Sequence, residues 1–179
     1  MEKKIEESVE KEFPECFIYQ GTLLVLPEIA RKINDIAKTW KNKETGFVLT
    51  GEDKIIDNAL VHVVTDFYTL PTYDVNRTHR LLIDLSDIAR IAKKKNIIAI
   101  EHVHPNGQLW PSLSDLATMI SIDILLAKPV LHIIANTEGE RLILSFQKCH
   151  ECKNSFFKFL LSRGKYVKEV KKQIGNHPL

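Results

Sequence analysis

The chain has 179 residues, of which 44% are hydrophobic and 27% charged, and its formal net charge is +2. These values are typical of a globular protein with one sizeable core, and the charge is too small to indicate a nucleic-acid-binding protein. No apolar run approaches the ~18 residues of a membrane span, the charged N-terminus is unlike a signal peptide, and three cysteines do not suggest a secreted disulfide framework. We therefore expect a cytoplasmic protein that binds neither a membrane nor nucleic acid.

The first part of the chain is predicted to hold an extension, a strand and a helix. Residues 1–19 begin with a strongly charged run, in which we expect a short, loosely held helix. A β-rich run over 19–26 predicts a strand. The segment at about 27–41 carries an apolar stripe at helical spacing, and Pro27 suits the first turn of a helix.

Two β-rich segments follow, over 45–50 and about 55–65, and they are typical of a hairpin with its turn at 52–54. Residues 66–77 lack a clear period, so we interpret them as a loop. The segment 78–95 has leucine and isoleucine at helical spacing and ends in three lysines, which complement the dipole of a last helical turn. We interpret these lysines as a solvated helix end rather than a phosphate-binding group.

The second half of the chain predicts a strand at 96–104, a helix at 113–127 and two strands at 130–136 and 140–147. The last two are joined by a hairpin-like turn at 136–139. Because strands alternate with helices along the chain, we expect the α/β class, with a mixed sheet flanked by helices.

The predicted elements divide the chain into three parts. Residues 20–148 hold the predicted sheet and its helices. Residues 1–19 precede this domain, and residues 149–179 are predicted to form a C-terminal helix packed on it. No internal repeat or low-complexity linker separates the parts.

The strand at 96–104 ends in two histidines one residue apart. Because strand side chains alternate between faces, His102 and His104 are expected on one face, together with Ile98 and Ile100. Two imidazoles then point the same way where the strand ends.

A carboxylate is predicted to face these imidazoles. Ser112 resembles a helix N-cap, which places Asp115 in the first turn of the helix. The strand end and the helix start would together supply two nitrogens and one oxygen, with space for a fourth ligand. Three protein ligands plus water is the composition of a catalytic zinc site rather than a structural one.

The spacing of these residues resembles a known motif. The pattern His-x-His, seven residues, Ser-x-x-Asp, with a glutamate well upstream, is the JAMM motif of the MPN (Jab1/Mov34) metalloproteases, and here it runs from His102 to Asp115. The upstream glutamate would be Glu44, which precedes a glycine-containing strand. The resemblance spans roughly residues 20–148 and is specific only at five positions, namely Glu44, His102, His104, Ser112 and Asp115.

The resemblance implies a fold, a cofactor and an activity. The fold would be an MPN/JAB domain, with a layered architecture like that of cytidine deaminases, holding one Zn²⁺ per chain. Carried over from the family, His102, His104 and Asp115 bind the zinc, Glu44 is the general acid and base, and Ser112 supports the oxyanion. The implied activity is that of a metallopeptidase or isopeptidase, which uses a zinc-activated water to cleave an amide at the C-terminus of a ubiquitin-like or sulfur-carrier protein, or in a small peptide.

Two positions depart from the family pattern, and the choice of glutamate rests on the resemblance alone. Val103 and Phe47 stand where the family often has a polar residue and a second glycine, and we expect both to alter the rim of the site. Local sequence does not favour Glu44 over Glu52. Glu101 is expected on the strand face opposite the histidines.

The expected substrate selection is simple. Family members that distinguish ubiquitin chains carry two inserted segments. Residues 66–77 lie where the first would be, but only Lys128 and Pro129 separate the helix at 113–127 from the next strand. We therefore expect a protease without linkage selectivity.

Three other functions compete with this one. A non-catalytic MPN scaffold that binds a partner protein is the main alternative, although such members typically lack the ligands that are present here. A nucleic-acid-associated relative is disfavoured by the low net charge. A cytidine deaminase would need His-x-Glu and Pro-Cys-x-x-Cys, whereas the second position here is His104 and no proline precedes Cys149.

The remaining motif is a lone Cys-x-x-Cys at Cys149 and Cys152. Zinc sites with four protein ligands usually need a second pair, and Cys16 is the only other cysteine, so we favour a structural role over a second metal or redox site. The sequence does not fix the oligomeric state, and a dimer is compatible with it.

Overall fold

The computed structural model describes residues 18–40, 43–71, 83–105 and 107–146. Ile18–Phe146 form one compact unit. The predicted N-terminal helix, the predicted C-terminal helix and the Cys149–Cys152 motif lie outside the described residues.

A six-stranded mixed sheet lies at the centre, with strand order β1-β3-β2-β4-β5-β6. β1 runs parallel to β3 and β4 parallel to β5, whereas β2 is antiparallel to both of its neighbours and β6 is antiparallel to β5. The strands are β1 (Thr22–Val25), β2 (Thr45–Ile56), β3 (Ala59–Leu70), β4 (Ile97–His104), β5 (Leu131–Asn136) and β6 (Arg141–Leu144). The helices of the described residues are α1 (Pro27–Thr39), α2 (Leu85–Ala92) and α3 (Leu113–Leu126).

Helices cover both faces of the sheet, which confirms the predicted α/β arrangement of a mixed sheet flanked by helices. α1 buries Ile29 and Ile33 against Phe47 and other strand residues. On the other face, Ile88 of α2 and Ile122 of α3 pack against a second apolar cluster. Neighbouring residues of β2 serve the two cores, because alternate side chains of a strand point to opposite faces. None of these helices has the length and apolar composition of a membrane span.

The sheet is curled. Ile18 forms an antiparallel bridge with Leu144, and the Tyr19 N–H donates to the carbonyl of Ile143 at 2.8 Å. These residues precede β1, yet they lie beside β6, which stands at the other end of the strand order. The two ends of the sheet are therefore close in space.

The β2–β3 hairpin forms as predicted, but its predicted turn at 52–54 is wrong. The chain reverses at Asp57 and Asn58, whose φ angles of 50° and 62° are those of a two-residue hairpin turn. Asp and Asn tolerate this left-handed conformation better than other residues with a side chain. The three charged residues lie within β2 as exposed strand residues. Gly51 is required beside them, since a Cβ there would lie 1.9 Å from the carbonyl oxygen of Val63.

Two further boundaries differ from those predicted. Residues 66–70 belong to β3 rather than to a loop, because they pair with β2 along its whole first half. The helix predicted at 78–95 begins at Leu85, since the Asp84 carboxylate accepts from the Ser86 N–H at 2.8 Å and caps it. Residues 72–82 lie outside the described residues.

The elements around the histidines agree closely with the predictions. β4, α3, β5 and β6 lie within a few residues of their predicted bounds. The predicted face of one residue of β4, Ile98, is wrong. Ile98 packs in the α1 core whereas Ile97 and Ile100 pack in the other, because the pairing with β2 shifts register near Leu49 and interrupts the alternation.

The C-terminal end of α3 provides a test of this fold. Ala127 ends the helix with φ 51° and ψ 22°, a left-handed conformation that costs an L-residue about 1–2 kcal/mol. We expect Ala127→Gly to raise the free energy of unfolding by about 1 kcal/mol, measured by urea denaturation. The matched control is Ala117→Gly, an exposed position inside the same helix, where the same substitution should cost about 1 kcal/mol. Equal effects of the two substitutions would contradict the assigned helix end.

Candidate metal centre

The end of β4 brings two buried imidazoles together. His102 and His104 are each 6% exposed, and their Nε2 atoms lie 2.8 Å apart. This agrees with the prediction that both side chains leave the strand on the same face. Two nitrogen ligands therefore converge on one point at the strand end.

The first turn of α3 supplies the carboxylate. Ser112 and Asp115 form a capping box, in which Ser112 Oγ accepts from the Asp115 N–H at 3.2 Å and Asp115 Oδ2 accepts from the Ser112 N–H at 2.7 Å. The carboxylate is held towards the strand, with Oδ1 3.8 Å from His102 Nε2 and Oδ2 3.7 Å from His104 Nε2.

These three residues form a group that can hold a metal ion. One ligand atom from each of His102, His104 and Asp115 lies within 4.8 Å of the others. We call them the metal group below. The sequence therefore predicted both the members of the group and the two elements that bring them together.

A backbone carbonyl fixes the ring of His104. Its Nδ1 lies 2.8 Å from the carbonyl oxygen of Gln108, which can only accept a hydrogen bond. Nδ1 must therefore carry a proton, so that in the neutral ring Nε2 has the lone pair that a metal requires. A second-sphere bond of this kind to a ligating histidine is usual in metal sites.

Glu44 lines a pocket together with His102 and Asp115. Thr45 pairs with Val103, so Glu44, one residue earlier, approaches His104 at the end of β4. Gly46 lies directly opposite His102 and places no side chain over its ring. Glu44 and the metal group consequently share one face of the sheet.

The two other glutamates that the sequence left open lie elsewhere. Glu52 is an exposed hairpin residue, 3.0 Å from Lys54. Glu101 lies on the opposite face of β4, as predicted, and Arg141 Nε donates to it at 3.0 Å. Burial raises the pKa of Glu101, and the Arg141 charge opposes that rise.

Ser112 caps α3 as predicted. Its side chain is exposed, and Ser114 is the serine that lines the pocket.

The two positions that depart from the family pattern lie differently from what was expected. Val103 and Phe47 were expected at the rim of the site. Both are instead buried in the α1 core, since they point away from the face of the histidines. They leave the composition of the rim unchanged.

His132 also belongs to the site, although its position was not predicted from the sequence. This side chain of β5 is 1% exposed and lines the same pocket, and Asp123 of α3 lies 2.9 Å from its Nε2. The parallel pairing of His132 with Ile100 places it on the face of the metal group. A strand–helix–strand connection predicts parallel neighbours, but the register that brings His132 to this position is not visible in the sequence.

The buried position of His102 has an electrostatic consequence. The pKa of His102 is lowered from 6.5 to about 4, chiefly by burial; the Asp115 charge opposes this shift, and His104 and His132 contribute to it. His102 is therefore neutral at physiological pH, which is the state that binds a metal.

Metal-free protein should lose stability as the pH falls from about 6.5 to about 4. In this range the unfolded chain binds a proton at His102 and the folded chain does not. The free energy of unfolding therefore decreases as the pH decreases. The loss due to His102 is roughly 3 kcal/mol, and it should level off below pH 4. Urea denaturation of wild type and His102→Gln across this range measures it, and identical pH profiles would contradict the assignment.

Comparisons with known proteins do not identify the chain. No family model and no curated protein matches it. Among solved structures, it is similar to the solution structure of protein DSY2949 from Desulfitobacterium hafniense, at 13% identity and a TM-score of 0.45, over 69% of this chain and 82% of that one. This likeness assigns neither a family nor a function. Membership of the JAMM/MPN family therefore stays a prediction from the sequence.

Proposed function

We propose that the protein is a zinc-dependent metallopeptidase of the JAMM type, with an MPN fold. The observation that carries the proposal is the position of Glu44 in the same pocket as His102 and Asp115. A metal-binding group alone is compatible with a purely structural ion. A carboxylate beside it that is not one of its ligands is what hydrolysis requires in addition.

The metal group fits zinc in its chemistry and its spacing. Two imidazole nitrogens and one carboxylate oxygen are the ligands of many catalytic zinc sites, which leave a fourth position open. Ligand bonds of about 2.0–2.2 Å at tetrahedral angles put ligand atoms roughly 3.3 Å apart. The two nitrogens lie 2.8 Å apart, and His102 and His104 are 3.8 and 3.7 Å from different oxygens of Asp115. One oxygen and the two nitrogens lie within 4.8 Å of one another, so side-chain rotation would have to bring the carboxylate closer for one oxygen to bind the ion.

The side chains of the pocket have separate roles in the proposed reaction. Zinc, when bound, would supply a Lewis acid that brings the pKa of a coordinated water towards about 7. Glu44 would accept the proton of the attacking water and deliver it to the leaving amine. The cavity beside the metal group has a volume of about 30 Å³, which is enough for a water molecule.

Ser112 has a hydroxyl proton that is not used within the capping box. Its oxygen accepts from the Asp115 N–H, so the O–H bond can point to another acceptor. We assign it the support of the oxyanion, as the resemblance implies. Since Ser112 is exposed, this role requires that the substrate carbonyl lie at the mouth of the pocket.

The proposed substrates are amides near the C-terminus of a ubiquitin-like or sulfur-carrier protein, or small peptides. Such tails are extended and suit binding beside a strand. Only residues 127–130 connect α3 to β5, which leaves no room for a second substrate-gripping insertion there. A simple peptidase without linkage selectivity is therefore the form of the activity that we propose.

Metal content distinguishes this function from a non-catalytic scaffold. We expect about one zinc per purified wild-type chain by mass spectrometry. We expect none in His104→Ala, because the metal group loses a ligand. His62→Ala is the matched control, since His62 is also a buried strand histidine but lies outside the metal group. Equal zinc in all three proteins would place the metal elsewhere. No zinc in any of them, even after zinc is supplied, would favour the scaffold.

The role of Glu44 has its own test. Glu44→Gln should lower the rate of hydrolysis of a C-terminal fluorogenic amide by about 10²–10⁴-fold while zinc stays bound. The reason is that the glutamine side chain cannot accept the proton of the attacking water. Glu52→Gln, at an exposed position of the strand that follows Glu44, should leave the rate unchanged. Full activity of Glu44→Gln with zinc bound would show that another group acts as the base.

A further inference from the structure

Asp123 and His132 form a buried polar link between α3 and β5. Asp123 Oδ1 accepts two hydrogen bonds, from the Val130 N–H at 3.2 Å and from His132 Nε2 at 2.9 Å. The side chain of His132 is 1% exposed and that of Asp123 15% exposed. Both donors come from the beginning of β5 and its preceding residue, so one carboxylate oxygen joins the helix to the sheet.

The link joins the two elements that carry opposite halves of the metal group. α3 carries Asp115 in its first turn, and Asp123 lies two turns later on the same helix. β5 is hydrogen-bonded to β4, which carries His102 and His104, and His132 pairs with Ile100 of that strand. The position of α3 against β5 therefore sets the position of the carboxylate relative to the two imidazoles.

Other contacts of α3 do not fix this position as well. The capping box is internal to the helix, so it orients Asp115 relative to α3 and not to the sheet. Leu116, Met119 and Ile122 of α3 are buried, but apolar contacts are non-directional and specify the position of a helix less sharply than a hydrogen bond does. Lys128 Nζ donates to the carbonyl of Ile97 from beyond the helix end, and thus holds the connection rather than the helix.

We propose that Asp123 and His132 are positioning residues of the metal centre, which hold α3 at the distance from β4 that Asp115 needs to complete the metal group. The proposal rests on the metal site of the proposed function. It assigns no contact with the metal or the substrate to either residue. In physical terms, the two hydrogen bonds of Asp123 in the second half of α3 hold the helix in place, and they thereby fix the position of Asp115 in its first turn.

The experiment is a titration of the metal-free full-length chain with Co²⁺, followed by visible absorption, which reports both affinity and coordination geometry. Asp123→Ala and His132→Leu remove one side of the link. Asp123→Asn keeps an acceptor oxygen, and His132→Gln keeps a donor nitrogen in a similar place. The controls are Asp53→Ala and His62→Leu, because Asp53 and His62 form a second histidine–aspartate pair, 2.6 Å apart, on β2 and β3.

We expect Asp123→Ala and His132→Leu to weaken Co²⁺ binding about tenfold or more and to change its visible spectrum. Asp123→Asn and His132→Gln should bind within a few-fold of wild type, with the same spectrum. The two controls should keep the wild-type affinity and spectrum even where urea denaturation shows that they are less stable. This pattern separates positioning of the ligand from a general loss of stability.

Three results would overturn the proposal. Unchanged Co²⁺ affinity and spectrum in folded Asp123→Ala or His132→Leu would remove the positioning role and leave the metal site intact. Equal damage in His132→Gln and His132→Leu would show that the hydrogen bond is not the cause, and this comparison remains if Asp123→Ala does not fold. Absence of Co²⁺ binding in wild type would overturn the metal site as well.

Discussion

The metal group depends on the meeting of two segments, because one strand cannot surround an ion. β4 brings two imidazoles to the same face, 2.8 Å apart, and it can bring no third ligand from the opposite direction. The third ligand comes from the first turn of α3, where the Ser112 N–H donates to the Asp115 carboxylate and the Ser112 hydroxyl accepts from the Asp115 N–H. The remaining structure can be understood as what holds these two segments in place.

The two faces of the sheet contribute differently to holding these segments. The α1 face is apolar around Phe47 and Ile33, and it carries the partly buried Glu101–Arg141 ion pair behind the histidines. Arg141 also donates to Asn34 of α1, so this pair joins a helix and two strands. The other face carries the pocket, which is lined by both polar and apolar side chains. A polar site can exist there because the first face supplies much of the core.

The sequence predicted the metal group for physical reasons that are local. Alternation along a strand is enough to place His102 and His104 together, and an N-cap pattern is enough to place Asp115 in a first helical turn. Glu44 is different, because nothing around it in the sequence indicates its position. Only the resemblance to a family selected it, and the pairing of β2 with β4 then explains why it reaches the pocket.

Most of the wrong predictions have a common cause, because the correct structure depends on pairing between distant segments. Residues 66–70 become a strand because β2 is beside them, and Ile98 changes face where the β2–β4 register shifts. His132 enters the pocket because β5 pairs in one particular register with β4. The hairpin turn and the start of α2 are exceptions, because each has a local signal. Asp57 and Asn58 suit a two-residue turn, although the predicted turn lies at the charged residues before them, and Asp84 caps α2.

The curl of the sheet has a consequence for the order of folding. The bridge between Ile18 and Leu144 joins the two ends of the compact unit, so it closes the longest loop that the unit contains. Closing such a loop costs more chain entropy than forming the hairpins and the strand–helix–strand connection that hold the metal group. Contacts of this separation in sequence form late and slow the search for the native topology. The metal group can therefore assemble before the curl closes, and a metal ion that binds at that stage would stabilise a partly folded chain as well as the native one.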